Sequence, residues 1–230
     1  TIQKILQFLA IYKIFHKFYF LNVESMKKFF VVFLLCLLSS FSSAQTNTNA
    51  VIEGVRVPSS VQLAGRKLQL NGAGVRYKAV VKVYVAALYL EQPSINPEQI
   101  YNTKGSMQLA LTMLRNINSA ELGRLFIKGM EENCTKEEQT RLISDFRYMG
   151  ELFARFKNLE KGETLIIEWP ASGAMAVSVD GFYDQTPIKN PDFKKALLSI
   201  WLGENPADWQ LKAMLLNNGR VNNNNQGQNR

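Results

Sequence analysis

Residues 82–90 read Lys-Val-Tyr-Val-Ala-Ala-Leu-Tyr-Leu (KVYVAALYL). After the lysine, eight apolar or aromatic residues follow without a polar interruption. A strand with one wet face alternates polar and apolar positions, whereas a strand covered on both faces does not. The stretch therefore predicts a central strand of a sheet buried on both sides. Outward from it, residues 55–90 are rich in Val, Leu, Ala and Tyr, with Gly65, Gly72 and Gly74 as punctuation, and predict several strands. Residues 107–114 predict another. Residues 164–169 and 174–179 predict two more, joined by residues 170–173, and Asp180-Gly181 predicts a tight turn.

Between these groups the period changes. Ser119 is expected to cap a helix with Leu122, Leu125, Phe126 and Met130 on one face. Thr135-x-x-Glu138 is a capping box and predicts a second helix starting right after Cys134. Its stripe is Leu142, Ile143, Phe146, Met149, Leu152, Phe153 and Phe156, expected to pack against a sheet. Asn96-Pro97-Glu98, Asn190-Pro191-Asp192 and Asn205-Pro206-Ala207-Asp208 are three further helix starts, each with a cap residue followed by proline. The second runs through Trp201 and ends at Gly203; the third runs through about Leu216. Trp201 and Trp209 stand beside Leu and Ile at helical spacings and are expected in the core. Strands before and after a central helical pair, with helices last, predict an α+β domain: an antiparallel sheet with helices on one face.

Residues 26–44 read Met-Lys-Lys, then an apolar run from Phe29 to Leu38, then Ser-Ser-Phe-Ser-Ser-Ala. This pattern predicts a secretory signal peptide cleaved near Gln45. The run is too short to span a bilayer, which takes about 20 residues. Leu35 before Cys36 is too bulky for a lipid-attachment box. Residues 1–25 begin with Thr and mix Lys with aromatics without clean periodicity; they read as translated upstream sequence, with an uncleaved double anchor as the rival. The expected organisation is then 45–52 linker, 53–217 folded domain and 218–230 a disordered Asn/Gln-rich tail. No membrane anchor is expected after cleavage, and the expected location is periplasmic or secreted, in a Gram-negative bacterium.

The leader removes chemistry. The only histidine, His16, lies upstream of it, and only Cys134 lies downstream. One thiol closes no intramolecular disulfide. A Ser-His or Cys-His pair is excluded from the mature domain, and no transition-metal site or cofactor is expected. Residues 1–44 hold five Lys and one Glu, so 22 basic and 18 acidic residues remain, a net charge of +4. The basic residues are interleaved with acids, and no cluster marks a nucleic-acid surface. Gly72-x-Gly74 precedes a strand-like run and lacks a third glycine, so it is no dinucleotide fingerprint.

Three stretches together resemble the chalcone isomerase superfamily, in its bacterial, exported chalcone isomerase-like branch. They are residues 70–90 (LNGAGVRYKAVVKVYVAALYL), 130–135 (MEENCT) and 193–216 (FKKALLSIWLGENPADWQLKAMLL). The resemblance covers about residues 53–217. It implies an open-faced β-sandwich, a large antiparallel sheet with a layer of helices over it and a cleft between. The superfamily includes enzymes that close chalcones to flavanones, fatty-acid-binding proteins, and members without known catalysis, so the site must decide function.

By the same resemblance, Arg76 holds the position that binds an anionic oxygen, either a developing oxyanion or a fatty-acid carboxylate. Tyr84 holds the position of a hydroxyl that is Thr in the plant enzymes and Tyr in the fatty-acid binders. Phe126 stands where the family's catalytic Tyr stands, and lacks its hydroxyl. Asn133 matches a family Asn, although an Asn at a helix end is commonly structural; the family's active-site Lys has no match in residues 115–119. The residue types suit the task, since a guanidinium offers a planar fork to a carboxylate and a phenol adds a donor. The spacing sets a condition. Eight residues along one straight strand separate two groups by about 26 Å. Arg76 and Tyr84 meet only if the chain reverses between them, about residue 80, with 76 and 84 opposite. Residues 78–82 contain no Gly, Asn or Pro to mark such a turn.

Two functions follow as expectations. The first is a non-catalytic, exported, monomeric binder of a fatty acid or similar small amphipathic carboxylate or phenolic ligand. The second is an isomerase (intramolecular lyase) of chalcone type acting on an enone or phenolic substrate, with Arg76 stabilising a developing enolate or phenolate and Tyr84 holding a water. A third reading is an interaction module whose cleft is filled by its own side chains.

Overall fold

The computed structural model describes residues 49–155, 158–171, 174–180, 182–186 and 188–217. The expected leader, most of the expected linker, the tail, Phe156 and Gly181 lie outside them. The strands in chain order are β1 (Ala50–Ile52), β2 (Val55–Val57), β3 (Ser60–Leu63), β4 (Arg66–Lys78), β5 (Val81–Leu90), β6 (Met107–Met113), β7 (Ile117–Asn118), β8 (Asn158–Leu159), β9 (Thr164–Trp169), β10 (Ala176–Val179) and β11 (Phe182–Gln185). The helices are α1 (Pro97–Tyr101), α2 (Ser119–Glu131), α3 (Lys136–Arg141), α4 (Ile143–Ala154), α5 (Pro191–Leu202) and α6 (Trp209–Leu215).

Seven strands form one antiparallel sheet in the order β11-β10-β9-β6-β5-β4-β3. Alternate residues of β5 go to two different cores. Tyr84, Ala86, Leu88 and Leu90 face the helices, with Met107, Leu109, Leu111 and Met113 of β6 and Leu165, Ile167 and Trp169 of β9. Val85, Ala87 and Tyr89 face the other way, with Leu68, Leu70, Ala73 and Val75 of β4 and apolar residues of the β1–β2 ribbon. That is why KVYVAALYL shows no alternation. The fold is α+β, with an antiparallel sheet and helices on one face; the ribbon over the opposite face was not apparent in the sequence.

Gly72 and Gly74 are not turn residues, contrary to expectation. Both lie inside β4, on the helix-facing side opposite Leu88 and Ala86. A Cβ on Gly72 would come 2.1 Å from the Met214 carbonyl oxygen, and one on Gly74 2.4 Å from Met214 Sδ. The missing side chains let the backbone of α6 lie directly on the strand. Buried Asn71 fixes that contact by donating Nδ2–H to the carbonyls of Leu215 (2.8 Å) and Ser94 (3.0 Å), while its Oδ1 accepts from Ser94 N–H (2.7 Å).

Other expectations are corrected locally. The cap of α2 is Asn118, whose Oδ1 accepts from Glu121 N–H; Ser119 is the first helical residue and is buried. The capping box at Thr135 is present, but the helix it opens breaks at Leu142 into α3 and α4. The break carries Ile143 out of the stripe, leaving it 66% exposed. Leu125 points outward on α2, and Trp209, at the first position of α6, is 64% exposed with Lys212 Nζ 5.1 Å from its ring centroid. Trp201 is buried in the core. Among the described residues no helix is long and apolar enough to cross a membrane.

Candidate functional site

The chain reverses between β4 and β5 through Ala79 and Val80, with Lys78 paired to Val81. Ala79 supplies the turn by taking the left-handed conformation (φ +53°), a region that L-residues other than Gly, Asn and Asp seldom occupy. A register shift between Arg76 and Tyr77 adds one residue on the β5 side, so that Arg76 lies directly opposite Tyr84. Directly opposed residues of an antiparallel pair share a face. Arg76 and Tyr84 are therefore on the same side of the sheet, in line with Gly72 and Gly74.

Other elements complete the surroundings. The Tyr84 hydroxyl oxygen accepts from Trp201 Nε1–H of α5 at 2.9 Å, a buried bond. Trp201 in turn meets Phe126 of α2 edge-to-face, ring centroids 5.2 Å apart, and Phe126 meets Phe153 of α4 at 5.1 Å. The hairpin is pinned by Asp208, at the start of α6. Its Oδ1 caps α6 through the N–H groups of Gln210 and Leu211, and its Oδ2 accepts from Tyr77 N–H at 2.8 Å. The Arg76 guanidinium is half-buried and donates to the Tyr77 carbonyl.

Burial pushes the Tyr84 phenol above its ordinary pKa, with the positive charge of Arg76 and the Trp201 bond acting in the opposite direction. The phenol is thus neutral at physiological pH and keeps a proton to donate. The site offers a fixed cation and a neutral hydroxyl on one face, with an aromatic cluster behind them. It suits one anionic oxygen and offers no nucleophile–base pair. Among the described residues no cluster of metal-ligating side chains occurs.

Asn133 is placed elsewhere. Its Nδ2 donates to the carbonyls of Gly129 (2.9 Å) and Asn205 (3.0 Å), and its Oδ1 accepts from Asn205 N–H (2.9 Å). It ties the end of α2 to the loop after α5, where a Cβ on Gly203 would lie 2.3 Å from the same Oδ1. It lines a cavity of about 560 Å³, together with half-buried Cys134, Tyr101 and Lys195, that neither Arg76 nor Tyr84 borders.

The match to the chalcone isomerase-like family model spans residues 49–217. The chain belongs to the chalcone isomerase-like family. No curated protein matches the sequence. Among solved structures, a fatty-acid binding protein of Arabidopsis thaliana superposes with a TM-score of 0.59 at 16% identity, covering 74% of this chain and 97% of that one. At that identity the likeness establishes the fold alone. Within this chalcone isomerase-like domain, sequence reasoning missed two contributors beside the hairpin. In the sequence Asp208 reads only as part of a helix start and Trp201 only as core. Both are far from the hairpin in sequence (131 residues from Tyr77 and 117 from Tyr84, respectively), and nothing local marks the contact.

Proposed function

We propose that this chalcone isomerase-like domain is an exported, non-catalytic binder of a small amphipathic acid, a fatty acid being the type. The observation that carries the reading is the cross-strand pair. Arg76 and Tyr84 present a guanidinium and a neutral phenol on one face of the sheet, and a carboxylate accepts from both. Phe126 supports binding over turnover, because its ring contributes packing to Trp201 and no hydroxyl to a reacting ketone. The solved relative named for fatty-acid binding supports the same class of ligand. Export rests on the charged, apolar and small-residue pattern of residues 26–44.

The test is displacement of a fluorescent fatty acid from the mature protein by palmitate and by its methyl ester. A charge-assisted hydrogen bond contributes about 1.5–3 kcal/mol. Arg76→Ala is therefore expected to weaken palmitate by about tenfold or more and to leave the ester unchanged. No displacement at tens of micromolar, or equal loss for acid and ester, refutes the reading.

A further inference from the structure

The opposite end of the sheet carries a second cavity. It lies where β9 ends, β10 begins and α5 starts, with a volume of about 290 Å³, at the small end for ligand pockets. Trp169, Met175, Ile188 and Phe193 line its apolar side, and all four are buried. Three lysines, Lys104, Lys189 and Lys194, also line it, beside Thr103 and Asn190, and among the described residues none that lines it is acidic. The larger cavity beside Asn133 is different, with Glu98, Glu132, Glu138 and Glu204 set among two lysines.

Three acids that flank the lining are already engaged, and Glu168, next to Trp169, alternates to the other face of β9. Glu91 lies behind Gly105, where its Oε1 accepts from Ser106 N–H (2.8 Å) and its Oε2 pairs with Arg66 (3.3 Å). Asp145 accepts from Asn190 Nδ2–H, and Asp192 pairs with Arg141. Lys194 Nζ donates one proton to the Thr103 carbonyl at 2.8 Å, leaving two of an ammonium's three donors. Burial lowers the pKa of Lys194, a shift that an anion beside it would oppose. At the N-terminus of α5 Pro191 has no N–H and the Asp192 N–H is taken by Asn190 Oδ1.

From this arrangement we infer that the cavity is a second ligand site, for an aromatic carboxylate, with the ring against Trp169 and the carboxylate on Lys194 and its two neighbours. An apolar floor under three lysines suits an anion with a flat apolar body. The inference does not rest on the Arg76 site.

The test is calorimetric titration of the protein with 1-naphthoate and with uncharged 1-naphthamide, alongside Trp169 emission. Naphthoate is expected to bind and to quench Trp169, with the amide at least tenfold weaker. The double variant K104E/K189E alters exposed residues only and is expected to weaken naphthoate at least tenfold; Lys194→Gln is expected to act in the same direction. Arg76→Ala removes the hairpin site's own claim on an amphipathic acid, and the part of the naphthoate binding that K104E/K189E weakens is expected to survive in it within twofold, which separates the two sites. Absent naphthoate binding, equal affinity for the amide, insensitivity to K104E/K189E, or loss in Arg76→Ala alone overturns the inference. Binding of a glutamate-rich peptide with none of naphthoate assigns the cavity to a protein partner and overturns it equally.

Discussion

The two ends of β5 hold their cations in opposite ways. At the hairpin end Arg76 is set against Tyr84, with Trp201 packed behind the phenol and Asp208 pinning the turn. At the other end, about 20 Å away along the strand, three lysines stand around an open cavity, and among the described residues only Lys194 of the three has a hydrogen bond to the fold. The first end is shaped before any ligand arrives; the second leaves its side chains free to adjust. Preorganisation reduces the ordering that binding requires, so on the two proposals above the hairpin end would select for head group and the lysine end would tolerate variety.

The largest expected effect tests this contrast directly. Gly72→Ala places a methyl against the backbone of α6, which has no side chain to move aside. Overpacking of this kind costs about 3 kcal/mol. Gly105→Ala at the other end meets its nearest atom, the carboxyl carbon of Glu91, at 3.4 Å and is expected to stay within about 0.5 kcal/mol. Urea unfolding of both variants measures the difference. Equal losses would mean that the ends are packed alike.

Tyr84→Phe comes next. It keeps the ring and leaves Trp201 Nε1–H buried without an acceptor, a loss of about 1–3 kcal/mol in chemical denaturation. The same variant reports on pH. Burial holds the phenols of Tyr84, Tyr89 and Tyr101 above their ordinary 10.0, so the folded state keeps protons that the unfolded chain releases. Their contribution to stability is complete below about pH 10 and is lost as pH rises toward the folded values. Each such phenol adds a slope of about 1.4 kcal/mol per pH unit in that window. Tyr84→Phe is expected to flatten the alkaline decline by that amount. An unchanged decline would place the Tyr84 hydroxyl in solvent.

Much of this architecture can be read from residues 82–90, because loss of alternation has one physical cause, cover on both faces. The helix caps at Asn96, Thr135 and Asn190 are equally readable, since each oxygen bonds an N–H two or three residues on; the last helix is not, since it starts at Trp209 under Asp208 rather than at Asn205-Pro206. Gly72 and Gly74 were misread because glycine allows both a turn and a close approach, and only the position of α6 decides between them. Ile143 and Trp209 were misplaced because spacing assumes a continuous helix, whereas one follows the break at Leu142 and the other opens a helix. The β1–β2 ribbon and β11 are too short and mixed to stand out. At the hairpin, the opposition of Arg76 and Tyr84 was legible only as a condition on the turn, and Trp201 and Asp208 reach it through tertiary contacts that local sequence does not encode.

The smallest expected effect concerns that turn. Ala79 sits at φ +53° in an exposed two-residue reversal. A left-handed conformation costs an L-residue about 1–2 kcal/mol, while glycine there loses more freedom on folding. Ala79→Gly is therefore expected to stabilise the domain by about 0.5 kcal/mol, seen as a raised urea midpoint at unchanged slope. Ala79→Asn is expected to act in the same direction, since Asn tolerates this region better than Ala does. Gly65 provides the opposite control, with φ +77° and open space around its Cβ position, so that Gly65→Ala adds strain without a clash and lowers the midpoint. If Ala79→Gly lowers it as well, the reversal is not left-handed at Ala79. The register that sets Arg76 against Tyr84 would then fail, and with it the difference between the two ends of the sheet.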